Sequence, residues 1–142
     1  MRALLDINVL IALLDGGHQN HAAARAWLLH NAEHGWASCS ITQNGCVRIL
    51  SQPAYPNSIP TSIALGKLSR ACSAPQHEFW PDAVSLLDHT IVRPDRIHGP
   101  RQLTDLYLLA LAVHRGGRFV TLDGAIATSA VHRAGKKHLV VI

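Results

Sequence analysis

The sequence has few cysteines and no long apolar run, and each of these shortages excludes a class of protein. Only three cysteines occur among 142 residues, and no two of them form a C-x-x-C pair. Neither a disulfide scaffold nor a cysteine-rich zinc domain is therefore expected. No apolar run approaches the ~20 residues that span a bilayer. The apolar N-terminal segment is interrupted by Asp6 and Asp15, and no small-residue cleavage site follows it. We expect a cytoplasmic protein that contacts no membrane.

Apolar side chains are what the sequence has in quantity. Hydrophobic residues make up 48% of the chain, whereas Asp, Glu, Lys and Arg together make up 15%. This balance predicts a packed globular fold instead of a disordered chain. A length of 142 residues favours one domain that covers residues 1–142. The formal net charge of +4 is a modest indication of a polyanionic partner such as nucleic acid.

Short apolar runs alternate with segments of helical periodicity along the whole chain. The predicted strands are 2–5, 36–39, 77–80, 90–92, 118–123 and 138–142. The predicted helices are 9–14, 18–32, a helix that starts at Thr42, 62–72, 81–87, 103–115 and 124–131. Asn8 and Thr42 are the predicted N-caps of the first and third helices. Strands that are short, apolar and not alternating are typical of a parallel sheet with helices on both faces.

The nine carboxylates fall into two groups by their surroundings. Solvated positions or helix caps explain the six that lie in polar segments or at a helix end: Asp15, Glu33, Glu78, Asp82, Asp88 and Asp95. Asp6 and Asp123 instead end apolar runs that we predict as strands, and Asp105 lies at the start of an apolar helix. Taken singly, each of these three is explained equally well as a helix cap or as a first-turn acid.

Taken together, the three aspartates suggest a site. The carboxyl ends of parallel strands meet at one edge of a sheet, where α/β proteins form their binding sites. Clustered carboxylates repel one another unless a cation neutralises them, and Mg²⁺ and Mn²⁺ prefer oxygen ligands. The chemistry that such a site supports best is hydrolysis of a phosphodiester by metal-activated water.

Four segments carry a resemblance to a known family: LLDINVLIALL (4–14), ITQNGCVRILSQPAY (41–55), LTDLYLLALA (103–112) and FVTLDGAI (119–126). In this order and spacing they resemble a PIN domain, and more closely the toxin ribonuclease of VapBC-type toxin–antitoxin pairs. The resemblance covers essentially the whole chain. It implies a three-layer α/β/α sandwich with a central parallel sheet of about five strands, an Mg²⁺ or Mn²⁺ cofactor, cleavage of RNA, and inhibition by a small antitoxin protein.

The resemblance also assigns roles to residues. It implies that Asp6, Asp105 and Asp123 belong to the catalytic metal site, and Asp6 and Asp105 match the family most securely. The family's second acidic position is usually a glutamate, whereas Gln43 stands at that place here. The Gln43 carbonyl can still accept a hydrogen bond from metal-bound water or ligate the metal weakly, so Gln43 is a candidate site residue. Glutamine brings no charge, however, so the site has about three negative charges instead of four, and weaker binding of a second cation is expected. We predict an active nuclease with one tightly held metal; the alternative is a silent PIN module that binds RNA or antitoxin.

Basic side chains near the predicted acidic site are candidates for RNA contact. Arg93, Arg96 and Arg101 precede the helix that carries Asp105, and Arg48 lies on the third predicted helix. Phosphate contact and ordinary solvated charge explain these arginines equally well.

Apolar and aromatic residues after the third helix suggest further contacts. The candidates for a groove that holds an antitoxin segment or a second copy of the chain are Ile59, Ile63, Leu65 and Leu68. A homodimer is expected by analogy with toxin-like PIN proteins. Tyr55 and Trp80 are candidates for stacking on unpaired bases, although for Trp80 core or loop packing is the safer expectation.

Two other site chemistries fit the sequence less well. A Mg²⁺ phosphohydrolase with a nucleophilic aspartate needs a second acid two residues later, but Asn8 follows Asp6 at that spacing. The ten histidines include pairs at helical spacing, but no cysteine or glutamate completes a zinc site around them.

Overall fold

Five short parallel strands form one sheet in a computed structural model that describes residues 1–142. The strands are β1 (Ala3–Leu5), β2 (Trp36–Ser38), β3 (His77–Phe79), β4 (Arg118–Thr121) and β5 (Leu139–Val141). Their order across the sheet is β3-β2-β1-β4-β5, and every pairing is parallel. The prediction of a central parallel sheet of about five strands is confirmed.

Helices cover both faces of this sheet. They are α1 (Ile7–Leu14), α2 (His21–His30), α3 (Ser40–Leu50), α4 (Thr61–Cys72) and α5 (Leu103–His114). The first four contribute to the core on one face and α5 to the core on the other. Because successive strand side chains point to opposite faces, Ala3 and Leu5 join the core under α1–α4, whereas Leu4 joins the core under α5. The predicted α/β/α sandwich is confirmed. No helix combines the length and apolar character that crossing a bilayer requires.

The strand order reverses beside β1. The chain adds β2 and β3 on one side of β1, and then adds β4 and β5 on the other side. The carboxyl ends of β1 and β4 are therefore the switch point at which open α/β sheets form their sites. Asp6 follows β1 directly, and Asp123 lies two residues beyond β4.

Three elements predicted between residues 80 and 131 are wrong. Residues 81–87 form no helix, and residues 90–92 form no strand beyond an isolated antiparallel bridge between Val92 and Val131. Residues 124–131 contain one 3-10 turn, Thr128–Ala130, instead of a longer helix. The apolar residues that suggested these elements pack against the α5 core from irregular backbone: Val84, Leu86, Ile91 and Ile126. Their burial against α5, and not a local repeat, explains their positions in the sequence.

The two predicted helix caps, Asn8 and Thr42, are also wrong. Asp6 is the N-cap of α1, and its Oδ1 accepts a hydrogen bond from the N–H of Ile7 at 2.7 Å. Cys39 is the N-cap of α3, so Thr42 is the third helical residue, and its hydroxyl accepts from the Cys39 N–H at 2.9 Å. Each helix begins as soon as the preceding strand ends, which leaves the last residue of the extended backbone in the N-cap conformation.

Candidate active site

Asp6 is the innermost acid of the site. Its N–H donates to the carbonyl of Val120 at 2.9 Å, which joins the ends of β1 and β4. Its side chain is 5% exposed, and its Oδ2 accepts a hydrogen bond from the Thr121 hydroxyl at 2.6 Å. Burial raises the pKa of the Asp6 carboxyl above its ordinary value; the bonds from Thr121 and Ile7 oppose this rise, and the charge of Asp123 adds to it.

The buried hydroxyl of Thr121 organises the edge between β1 and β4. Besides donating to Asp6, it accepts from Asn8 Nδ2 at 3.2 Å and from the Asp123 N–H at 3.0 Å. The side-chain oxygen of Asn8 accepts from the N–H of Leu122 at 3.2 Å. Asn8 therefore ties the start of α1 to the chain after β4. Sequence reasoning missed this role, although the polar Asn8 within an apolar segment was its signal.

Asp105 and Asp123 reach the same place from α5 and from the loop after β4. Asp105 lies half-buried in the first turn of α5. Burial, followed by the charges of Asp6 and Asp123, raises the pKa of its carboxyl to about 6, and no hydrogen bond opposes the rise. Asp123 is exposed, and its Oδ1 accepts from the N–H of Ala125 at 2.9 Å. The structure therefore brings the three predicted aspartates within electrostatic reach of one another.

No side chain of the protein neutralises these three acids. The ion pairs of the structure lie elsewhere: Arg2–Glu78, Glu33–His34 and Asp95–Arg96. Binding of a cation would relieve the repulsion among the aspartates, and their hard oxygen donors suit Mg²⁺ or Mn²⁺. No three His, Cys, Asp or Glu side chains are placed to hold one ion by themselves. The donor set therefore fits an ion that keeps part of its water shell, as Mg²⁺ does when one or two carboxylates bind it.

Gln43 makes its side-chain hydrogen bonds to Ser38 and Cys72 and to none of the three aspartates. Its Nε2 donates to the Ser38 hydroxyl at 2.9 Å, and the same hydroxyl bonds to His77 Nε2 at 2.8 Å. Gln43 lines a groove of about 900 Å³ whose walls come from α3 and α4, which we call the α3–α4 groove. The Gln43 side chain lies on the side of α3 that faces α4, and its role at the metal stays a prediction.

A smaller pocket has a volume of about 400 Å³. Its lining comes from α1, α3 and the start of α5, and we call it the α1–α3 pocket: Ile7, Ser40, Ile41, Asn44, Gly45, Arg48 and Thr104. Two of these residues are chain neighbours of the acids: Ile7 follows Asp6, and Thr104 precedes Asp105. A Cβ at Gly45 would lie 2.8 Å from Cγ1 of Ile7, so this glycine permits the close approach of α3 to α1.

The four arginines predicted to contact RNA differ in their surroundings. Arg93 donates to a backbone carbonyl of the loop after β4 at 2.9 Å, and Arg96 lies 3.7 Å from the adjacent carboxylate. Arg48 is exposed and lines both the α1–α3 pocket and the α3–α4 groove. Arg101 is exposed in a 3-10 turn directly before α5. Arg48 and Arg101 are therefore the stronger candidates for binding a ligand.

The two aromatic candidates for base stacking are already engaged within the protein. Trp80 is 2% exposed and packs in the core under α5, which confirms the expectation of core packing. The hydroxyl of Tyr55 donates to Asp15, and its ring packs against the core under α1–α4. Tyr55 thus fastens the loop after α3 to the end of α1, a role that its position in a polar loop did not indicate.

Comparison with known proteins identifies relatives of the whole chain. Residues 3–130 match the family model of the PIN domain. Ribonuclease VapC44 of Mycobacterium tuberculosis is 54% identical over 142 residues, which is 100% of both chains. Ribonuclease VapC39 of the same organism is 44% identical over 131 residues, which cover 92% of this chain and 94% of the relative.

Solved structures share the fold at low sequence identity. VapC20 of Mycobacterium tuberculosis, described as a sarcin-ricin loop cleaving toxin, has a TM-score of 0.63 and 13% identity, with 87% of this chain and 91% of that chain covered. VapBC2 from Rickettsia felis, solved with a DNA fragment from its promoter, has a TM-score of 0.58 and 16% identity, with 87% and 89% covered. At these identities the similarity shows a common fold.

Proposed function

The chain belongs to the PIN-domain family, and on that premise we propose that it is a metal-dependent endoribonuclease, the toxin of a VapBC-type toxin–antitoxin pair. The observation that carries the proposal is the cluster of Asp6, Asp105 and Asp123 at the switch point of the sheet, which has no cationic partner in the protein. Identity with ribonucleases VapC44 and VapC39 along nearly the whole chain supports RNA as the substrate.

Mg²⁺ or Mn²⁺ is the cofactor that we propose for this cluster, with Asp6 and Asp105 as ligands and Asp123 beside them. When bound, such an ion activates a water molecule and stabilises the leaving oxygen of a phosphodiester. The chain supplies orientation and charge. The Thr121 hydroxyl holds the Asp6 carboxylate in place at 2.6 Å, as outer-sphere partners of metal ligands do. Because position 43 adds no acid to the cluster, we propose one tightly held ion.

Arginines around the acids supply the positive charge that an RNA strand requires. A polyanion would otherwise be repelled by three carboxylates that lie close together. Arg48 on α3 and Arg101 in the turn before α5 are exposed, and Arg93 and Arg96 add charge in the loop that precedes α5. We propose that these guanidinium groups bind phosphates that flank the cleaved bond.

Asn substitutions of the two principal acids test the catalytic proposal. Asp6→Asn and Asp105→Asn preserve side-chain shape and remove one charge, so RNA cleavage in Mg²⁺ should fall by about 100-fold or more, the equivalent of several kcal/mol of metal-ion stabilisation. Circular dichroism checks that each variant is folded. Glu33→Gln is the matched control, because Glu33 is exposed in the turn before β2, and should cleave as wild type does. Full cleavage in excess EDTA, or by both Asn variants, would contradict the proposal.

A silent module that binds RNA or antitoxin is the second candidate function. It is favoured by the absence of a carboxylate at position 43 and by the lack of a complete three-ligand group around one point. Wild-type protein that binds a short RNA but leaves it intact in both Mg²⁺ and Mn²⁺ would support this candidate over the nuclease.

A small antitoxin and a second copy of the chain are the protein partners that we propose. The relationship to VapC proteins supports the first, since VapBC2 was solved as a pair on promoter DNA. Of the four apolar residues predicted to line a partner groove, Ile63 and Leu65 on α4 are 51% and 54% exposed, whereas Leu68 is 5% exposed. Ile59 packs against the core under α1–α4. Of these four residues, only Ile63 and Leu65 are therefore exposed for contact with a partner. Light scattering of the purified chain tests the dimer.

A further inference from the structure

We propose that the α1–α3 pocket holds one unpaired nucleotide of the RNA substrate next to the cleaved bond, with Arg48 on its phosphate and Asn44 on its base. The inference rests on the proposed ribonuclease function and adds a specificity site to it. It assigns Asn44, to which sequence reasoning gave no role, to substrate selection.

The position of the pocket supports a nucleotide that adjoins the reacting phosphate. Two of its lining residues, Ile7 and Thr104, are chain neighbours of Asp6 and Asp105. A strand whose phosphate lies at the carboxylates can therefore place the next nucleotide in this pocket. The volume of about 400 Å³ falls within the range of small-molecule sites, roughly 300–1,000 Å³.

The lining of the pocket has the chemistry of a nucleotide site. Asn44 and Arg48 are four residues apart on α3, so they share one face of the helix, and both are exposed. Arg48 takes part in no ion pair of the structure, which leaves its guanidinium available for a phosphate. Asn44 offers a donor and an acceptor to a base edge, and the apolar walls from Ile7 and Ile41 suit the face of the base.

Gly45 gives the pocket its shape. It is buried, and a Cβ at this position would meet the side chain of Ile7, 2.8 Å from Cγ1. A larger residue would push α3 away from α1 and carry Asn44 and Arg48 away from the acids. Gly45 therefore allows Asn44 and Arg48 to lie close to the start of α1.

RNA suits this pocket better than a protein partner does. A peptide carboxylate could bind Arg48 as a phosphate does, but a peptide offers no base to Asn44 and to the apolar walls from Ile7 and Ile41. A protein partner is therefore an outcome that the experiment must detect, and not the expected one.

Arg48→Ala and Asn44→Ala test the assignment on a short single-stranded RNA that contains a mapped cut site. Arg48→Ala should raise KM about 10-fold, with kcat changed less than about 3-fold, and should lower the slope of log KM against log salt by about 0.7, the value for one phosphate contact on a single strand. Arg48→Lys should have a KM close to that of wild type. Asn44→Ala should reduce the preference for one base beside the cut by about 10-fold.

Two controls lie away from the pocket. Arg115→Ala changes an exposed arginine at the opposite end of α5, and Gln19→Ala changes an exposed amide in the turn between α1 and α2. Both should keep the wild-type KM and cut pattern. If Arg48→Ala and Asn44→Ala also keep them, the pocket assignment is overturned and the nuclease stands. If these variants lose only inhibition by an antitoxin, the pocket belongs to a protein partner.

A measurement of binding keeps the assignment testable if wild type cleaves nothing. Fluorescence anisotropy of a labelled single-stranded oligonucleotide of about six nucleotides should show a Kd about 10-fold higher for Arg48→Ala than for wild type or Arg115→Ala. Equal affinities would overturn the pocket on their own. If wild type cleaves no RNA but still binds the oligonucleotide more tightly than Arg48→Ala does, the proposed nuclease activity is wrong and the nucleotide site is supported.

Discussion

Charged side chains are paired with partners at one end of the central sheet and lack cationic partners at the other end. At the amino ends of the strands, Arg2 pairs with Glu78 at 3.1 Å, and Arg118 donates to Asn31 at 2.7 Å and lies 5.0 Å over the ring of Trp27. We call this the paired end. At the carboxyl ends of β1 and β4, the three aspartates face one another without a cation, and we call this the acidic end.

The difference shows which end stabilises the fold and which end serves a ligand. Charges with partners in the chain add modestly to the free energy of unfolding. Like charges held together by burial subtract from it, and a protein retains such an arrangement at sites where a ligand supplies the missing partner. Substitutions at the acidic end should therefore reduce activity more than stability, and substitutions at the paired end should do the reverse.

Thr121→Val should produce the largest effect and would break the comparison if it did not. Valine keeps the shape but removes the hydroxyl that donates to Asp6 and accepts from Asn8 and Asp123. Loss of such a partner typically costs about 10- to 100-fold in metal affinity or activity. The measurements are kcat and the Mg²⁺ concentration for half-maximal cleavage, taken well below the melting temperature. Thr121→Ser should recover most of the activity; a Val variant as active as wild type would show that Asp6 needs no fixed orientation.

Arg2→Ala should have a smaller effect, and on stability alone. The guanidinium of Arg2 donates to the Gln76 carbonyl at 2.6 Å in addition to pairing with Glu78, so its removal should lower the free energy of unfolding by about 1–2 kcal/mol. Urea denaturation measures the change, with Arg70→Ala, at an exposed position of α4, as the control that should shift it by less than about 0.5 kcal/mol. A fall in kcat of the folded protein would erase the distinction between the ends.

Asp105→Asn should give the smallest effect on stability, a gain in the absence of metal. The pKa of Asp105 is raised from 3.8 to about 6 in the folded protein, so the folded state holds this proton more tightly than the unfolded state. The stabilisation that comes from protonation of the Asp105 carboxyl is fully present below about pH 4 and is lost as the pH rises through about 6. In EDTA at pH 7.5 the Asn variant should therefore melt higher than wild type.

The size of that gain is limited by solvent. Because Asp105 is half exposed, screening should keep the gain below about 1 kcal/mol, or about 2–4 °C in melting temperature. The gain should vanish at pH 3.5, where the wild-type carboxyl is protonated. Mg²⁺ should raise the wild-type melting temperature more than that of the variant. Equal melting curves for both proteins at pH 7.5 in EDTA would indicate that the acidic end carries no electrostatic cost.

The acidic end was predictable because its signal is local to each strand. Asp6 ends an apolar run directly, Asp123 lies two residues past another, and parallel strands place such residues at one edge of the sheet. Asp105 required the family resemblance, because a first-turn acid is common in helices that bear no site. The sheet and the two helical layers followed from the same alternation of short apolar runs and helical segments.

The wrong predictions concern features that depend on distant packing. Asn8 was predicted as a cap because its partners, Thr121 and Leu122, are more than 100 residues away. Val84 and Leu86 suggested a helix because burial against α5 requires apolar side chains whatever the backbone conformation is.

The hydrogen bond between Thr121 and Asp6 spans 115 residues of sequence. It can therefore form only late in the synthesis of the chain. When Asp105 has just been added during synthesis, β4 has not yet been made. The pairing of β4 with β1 brings Thr121 and Asp123 to the other two acids. Contacts of such long range require the closure of a large loop and form late relative to local structure. Unfinished chains therefore carry only part of the acidic end, which is complete only once the chain extends past Asp123 and has folded.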